Sequence, residues 1–250
     1  ITNLLKAKEN FLVLKVDNTR KKEAIPTINM DWWNYGGIIR SVTLIETENN
    51  YIQDYFIQLR KGSETEVEGY IQLDKPSTQK VSVKIPELNI SKVFSTDKNG
   101  RTLISFKGVF ELWSPENPKT YKVELSLEGN TLSDQIGFRN IETQGHQILL
   151  NGKTIYLKGV SAHEETPFGT GRPTTREECD VLVSWAKDMG YNFIRLAHYP
   201  HSEQMVKAAE AEGLLVWSEI PVYWTVPFSN LATYANAENQ LTEMISRDKN

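Results

Sequence analysis

The stretch NFIRLAHYP, Asn192–Pro200, decides how the second half of the chain is read. Phe193, Ile194 and Leu196 form a short apolar run, interrupted by Arg195 and closed by His198, Tyr199 and Pro200. A run of that length, bounded by polar residues and proline, fits a buried strand. Such a strand has no packing use for an arginine and a histidine at its end unless that end faces a site. An ordinary solvated strand end is the competing reading, and the flanking sequence bears on the choice.

On the N-terminal side, TTREECDVLVSWAKDMG reads as an amphipathic helix with Leu182, Trp185, Ala186 and Met189 on one face. Thr174 with Glu177, or Thr175 with Glu178, has capping-box spacing, and Gly190 fits the position just past the helix. Further upstream, TIYLKGVSAHEE reads as a strand running into a polar loop, and Asn151-Gly152 before it marks a hairpin turn. On the C-terminal side, SEQMVKAAEAEG reads as a second helix, capped by Ser202 and ended by Gly213, followed by the strand LLVWSEI. Strand, helix, strand, helix and strand with short connections imply parallel strands and right-handed crossovers. Parallel strands bring their C-terminal ends to one face. His163, then Arg195 with His198, then Glu219 each sit at such an end, and in a (β/α) barrel that face carries the chemistry. Three strands do not close a barrel of eight, so the chain is expected to be part of a longer one.

The first half reads differently. Residues 50–139 hold short runs such as YIQDYFIQLR, EVEGYIQL, QKVSVKIPE and KTYKVELSLEG, separated by turn residues, which suggests a sandwich of immunoglobulin-like size. No titratable cluster stands out there, and its expected role is scaffold. Residues 1–49 also read as β, with strands at FLVLKVDN and from Ile38 to Ile45. Between them, Trp32 and Trp33 cannot face the same core if the segment is extended, because neighbours point to opposite sides. One is therefore exposed or lines a contact, as a ligand platform or at a domain interface. The expected architecture is multidomain β plus α/β, with boundaries at 1–49, 50–139 and 140–250.

Composition narrows the partners. A net charge of -4 gives no reason to expect nucleic acid or an anionic membrane surface. No apolar run is long enough to cross a bilayer. The single cysteine, Cys179, excludes an intrachain disulfide and a cysteine-based metal site. Both ends read as cut inside an element, so no compartment follows; a soluble cytoplasmic or periplasmic protein fits equally.

His163, His198 and Glu219 have metal-ligand chemistry, but no H-x-x-x-H spacing supports a metal site, and no G-x-S-x-G elbow supports a serine nucleophile. Arg195 can hold a carboxylate bidentately, and Glu219 is a plausible partner. His198 and Tyr199 can donate to substrate hydroxyls, and Trp224 offers a stacking face for a sugar ring or packs a loop.

The run from Asn192 to Pro221 resembles the barrel signature of glycoside hydrolase family 2, which includes β-galactosidases, β-glucuronidases and β-mannosidases. Asn192, Arg195, His198-Tyr199-Pro200, Gly213 and the apolar run to Glu219 carry the likeness. NMDWWNYGGIIRSV looks like the end of the family's N-terminal jelly-roll domain, and FELWSPENPKTYKVEL with IGFRNIE looks like its immunoglobulin-like domain and the lead-in to the TIM barrel. The resemblance implies that Asp31 reaches into the active site to bind substrate hydroxyls, that His163 and His198 contact the sugar, and that Arg195 orients the nucleophilic carboxylate. Trp224 as a substrate contact, and Glu164, Tyr199 and Glu219 as support, follow by position. Where many members carry serine or threonine before His-Tyr-Pro, Leu196-Ala197 stand here, which changes the pocket wall.

The implied activity is retaining hydrolysis of terminal β-linked sugars, most simply β-galactosides, with β-glucuronides and β-mannosides as alternatives and an inactive carbohydrate-binding homologue as another. Retention needs two carboxylates about 5–5.5 Å apart, and in the family both lie on later barrel strands, so no catalytic carboxylate is expected within these 250 residues. The implied partner is a carbohydrate. No cofactor is required, a divalent cation such as magnesium is left open for the intact enzyme, and so is a homo-oligomer.

Overall fold

The computed structural model describes residues 2–169 and 171–249. Its centre is a two-layer β structure. β1 (Ile52–Leu59), β2 (Glu66–Leu73), β3 (Lys80–Ile85), β4 (Ile90–Ser95), β5 (Arg101–Lys107), β6 (Tyr121–Leu127) and β7 (Asn130–Ile136) follow in chain order. They pair antiparallel into one sheet ordered β1-β2-β5 and another ordered β4-β3-β6-β7. Alternation puts Val81, Val83 and Ile85 of β3 and Tyr121, Val123, Leu125 and Leu127 of β6 inside. There they share one core with Ile57, Val67, Ile71 and Ile104 of the other sheet. Each such aliphatic side chain contributes roughly 1.5–3 kcal/mol on full burial.

A small antiparallel sheet, β8 (Ile141–Gln144), β9 (Gln147–Leu150) and β10 (Lys153–Thr154), leads out of the sandwich. Its second turn is Asn151-Gly152 with both residues at positive φ, as a two-residue hairpin requires. The expected strand from Thr154 splits here, because pairing with β9 stops at Thr154 and pairing with the next sheet starts only at Gly159.

That next sheet is parallel: β11 (Gly159–His163), β12 (Phe193–Ala197) and β13 (Leu215–Ser218), joined by α1 (Arg176–Asp188) and α2 (Glu203–Glu212). Of the two capping boxes the sequence allows, Thr175 with Glu178 forms. The buried stripe of α1 is Cys179, Val183 and Ala186, against the expected face: Trp185 and Met189 turn outward and only Leu182 and Ala186 keep to the inside. The reason is that α1 packs on both the sheet and α2, which selects the stripe at spacings of four and three, and Trp185 instead meets Phe168 edge-on. A last helix, α3 (Leu231–Asp248), follows β13.

Sandwich and parallel sheet are joined by polar contacts around Trp113. Its indole N–H donates to the Glu210 carbonyl at 2.8 Å, and the Glu210 carboxylate accepts from Gly137 N–H and Arg139. Gly213 ends α2 at φ 78°, with the Pro115 carbonyl 2.7 Å from where a Cβ would stand.

Residues 2–49 contain one short 3-10 turn, Thr2–Leu4, and no strand among the described residues, which corrects the reading of this part as β. A strand is stable only where a neighbour takes up its N–H and C=O groups. No strand of the described residues pairs with either apolar run, and Phe11 is 90% exposed. What holds the segment is side chains from elsewhere: Asn236 accepts from Ile25 N–H, Gln240 donates to the Ile25 carbonyl, and Thr233 donates to the Glu23 carbonyl, all three from α3.

His201, at the entry to α2, is buried. Because a carbonyl only accepts, its Nε2 carries the proton that bonds Ala197 O at 2.8 Å, while Nδ1 has no partner. Burial, opposed by that bond, holds its pKa down at about 4.

Two measurements check this packing. Gly213→Ala should lower the unfolding free energy by at least about 1 kcal/mol more than Gly190→Ala, since both sites share φ 78° but only Gly213 meets backbone. Equal costs in urea denaturation would contradict the docking at Pro115. For His201, the unfolded chain takes up a proton near pH 6.5 and the fold only near pH 4, so stability is complete above 6.5 and falls as pH drops between those values. The wild type should lose about 2 kcal/mol more between pH 7 and pH 5 than His201→Gln does. Parallel pH profiles would contradict a neutral buried His201.

Candidate active site

The parallel register sets His163 of β11 opposite Ala197, the last residue of β12, and Leu196 opposite Ser218 of β13. The residues just beyond these ends therefore meet. Arg195 donates to Glu219 in a two-pronged contact, Nη2 to Oε1 at 2.7 Å and Nε to Oε2 at 3.1 Å, and also to Ser161 Oγ at 3.2 Å. His198 Nδ1 lies 3.1 Å from Arg195 Nη2 and 3.2 Å from Glu219 Oε1. Since a guanidinium only donates, the bond from Arg195 requires an unprotonated Nδ1, whereas the bond to Glu219 requires a protonated one; the contacts alternate with the proton. The His163 and His198 rings stand edge to face at 5.1 Å, and His163 lies 6.4 Å from Tyr199. The peptide between Ala197 and His198 is cis.

Asp31 comes from the N-terminal segment, far away in sequence, and is brought to the same face. Tyr223, beyond β13, donates its phenol O–H to Asp31 at 2.6 Å, and this bond is the main reason its pKa is raised. Of the tryptophan pair, Trp32 is 9% exposed and Trp33 72%, so the two face different surroundings. Trp32 lies 5.6 Å from the His198 ring, 5.5 Å from Tyr199 and 5.3 Å from Tyr223. Trp224, at φ 54° and well exposed, stacks on Tyr223 at 5.4 Å.

Glu164 is set apart from this open face. It has no exposed surface, and its carboxylate accepts from Arg40, from Arg172 at 2.8 Å and from the Ser202 N–H. Its own N–H donates to Tyr199 Oη at 3.3 Å, and burial raises the Tyr199 pKa. Glu164 cannot touch a ligand; it ties together three segments around the site.

Asp31, His163, Arg195, His198, Tyr199, Glu219 and Trp224 are thus gathered on one side, as the sequence suggests, with Glu164 beneath them. Sequence reading misses Tyr223, Arg40 and Arg172. Tyr223 carried a usable signal, an aromatic pair right after a strand end; the arginines carried none, because their partner is remote. A cleft of about 520 Å³ lies between the sandwich, α2 and α3, and none of His163, Arg195, His198 or Glu219 lines it. Size therefore does not mark the site here. Among the described residues no three His, Cys, Asp or Glu side chains gather in a metal-holding group, and no described helix is long and apolar enough to cross a membrane.

Comparison with known proteins agrees with this architecture. Two models of the same family match: glycosyl hydrolases family 2 over residues 50–139, and the family 2 TIM barrel domain over residues 141–250. A β-glucuronidase of Streptococcus agalactiae is 31% identical over 95% of this chain and 42% of that protein. A β-galactosidase of Thermoanaerobacterium thermosulfurigenes is 28% identical over 96% of this chain and 36% of that protein. The apo structure of Bacteroides uniformis β-glucuronidase 3 superposes with a TM-score of 0.79 at 28% identity, over 94% of this chain and 31% of that one. The chain thus spans between about a third and two fifths of the length of these relatives. With a multi-stranded β part followed by the first strands of a TIM barrel, and with family 2 models matched across both, the chain belongs to glycoside hydrolase family 2.

Proposed function

We propose that these residues form the sugar-binding side of a retaining exo-glycosidase that hydrolyses terminal β-linked sugars, β-galactosides in the first instance. The observation that carries the reading is the meeting of Asp31, from the N-terminal segment, with His163, His198 and the Arg195–Glu219 pair at the ends of three parallel strands. In this reading residues 50–139 are an immunoglobulin-like sandwich and 140–250 the start of a (β/α)8 barrel, while residues 1–49, strandless among the described residues, are the segment leading out of a jelly-roll domain.

Asp31, fixed by the Tyr223 phenol, accepts from sugar hydroxyls through its second oxygen. His163 and His198 add donors or acceptors at the ring's edge, and Trp224 offers an exposed aromatic face to its apolar side. Arg195, already oriented by Glu219 and Ser161, presents charge toward the incoming nucleophilic carboxylate and keeps it ionised. By the family resemblance the acid/base and the nucleophile of a retaining mechanism lie on later barrel strands, so Glu164 and Glu219, each paired with arginine, are assigned supporting roles. This hydrolysis requires no cofactor.

β-Glucuronidase is the second reading, favoured by the 31% identical Streptococcus agalactiae relative of that name. Assays of the whole enzyme with aryl β-galactoside and aryl β-glucuronide separate the two. Asp31→Ala and His198→Ala should each lower kcat/KM on the preferred substrate by about 10- to 100-fold, the weight of one hydrogen bond to a charged group. Unchanged kcat/KM in both variants would remove these residues from the site.

A further inference from the structure

A second, smaller hollow of about 170 Å³ lies behind the wall formed by Trp32 and Tyr199, and it is lined by Arg20, Arg40 and Arg172. No acidic side chain lines it among the described residues. Arg40 and Arg172 share the single carboxylate of Glu164, and Arg20 donates to the neutral amide oxygen of Asn34 at 2.5 Å. Three guanidinium charges thus face one carboxylate, leaving about two positive charges uncompensated around a concave space.

The hydrogen-bond inventory points the same way. The Nε–H groups of Arg20, Arg40 and Arg172 are all buried without an acceptor. Buried donors without partners are rare, because each costs the full desolvation of its group. All three belong to residues that line this one hollow. Arg172 is the most enclosed, its side chain 9% exposed and its guanidinium stacked 3.8 Å over the Tyr199 ring. Arg20 is held below its usual pKa first by burial and then by the nearby Arg172 charge. At about 30 Å³ per water, the hollow holds some five or six waters' worth of volume, too little for a whole sugar ring with its hydration but ample for one acidic group.

We propose that the hollow bounded by Arg20, Arg40 and Arg172 is an oxyanion-binding site that takes a carboxylate or a sulfate. The anion's negative charge offsets the excess of guanidinium charge lining the hollow, and the planar fork of an arginine suits either group. Since Trp32 forms a wall of both the hollow and the candidate active site, the natural bearer of the oxyanion is an acidic substituent on a glycan reaching past Trp32. That last step rests on the glycosidase reading; the oxyanion site itself does not.

The test is calorimetric titration of the protein with sodium sulfate and with sodium acetate, at constant ionic strength set by chloride. At least one anion should bind saturably with one-to-one stoichiometry, and Arg20→Gln, whose side chain among the described residues bonds only Asn34, should weaken it tenfold or more without altering the circular dichroism spectrum. Arg40→Gln, which leaves Arg172 on Glu164, serves as a second variant and should weaken it likewise. The anion bound more tightly tells sulfate from carboxylate. Absence of saturable binding by both, or equal binding by the wild type and both variants, would overturn the proposal. Loss of glycosidase activity in the whole enzyme with anion binding intact would overturn the glycosidase reading alone.

Discussion

Glu164 has no exposed surface, and a carboxylate removed from water costs several kcal/mol unless charge and hydrogen bonds replace its hydration. Here they do. Arg172 comes from the loop after β11, Ser202 N–H from the start of α2, and Arg40 from the N-terminal segment. The requirement to satisfy one buried charge therefore draws together three pieces of chain that share no strand pairing. Replacing any one partner leaves the carboxylate undersatisfied, so the arrangement resists partial opening more than a surface ion pair does.

The consequence is a site assembled across the molecule. The N-terminal segment has no ladder of its own, yet it is fixed at two places: by α3 on the backbone of Ile25, and by Glu164 through Arg40. Between these anchors lie Asp31 and Trp32, which meet Tyr223 and His198 at the strand ends. The parallel sheet supplies the precise part, because its register fixes where His163, Arg195 and Glu219 emerge. The sandwich serves by rigidity, docked on α2 through Trp113 and Glu210.

How much of this the sequence discloses depends on whether the information is local. Strand, helix and cap signals between Thr174 and Glu219 are local, and Thr175, Ser202 and Gly213 behave as their types require. The alignment of His163, Arg195, His198 and Glu219 follows from parallel topology, so it was legible too. The packing face of α1 was not, because Trp185 outweighs Cys179 in hydrophobicity but only the latter's stripe meets both sheet and α2. The strands expected near Phe11 and Ile38 fail for a related reason: propensity describes a willing segment, and pairing needs a neighbour. Arg40, Arg172 and Arg20 stayed invisible because a charge in an unremarkable loop gains meaning only from where its distant partner sits.

The claim that Glu164 holds the N-terminal segment against the strand ends is most directly tested by a double-mutant cycle. Unfolding free energies would be measured by urea denaturation for the wild type, Glu164→Gln, Arg40→Gln and the double variant. A coupling of about 1 kcal/mol or more between the two positions is predicted, as for residues sharing one buried network. Additivity to within about 0.3 kcal/mol would show that Arg40 and Glu164 act independently, and would contradict the account.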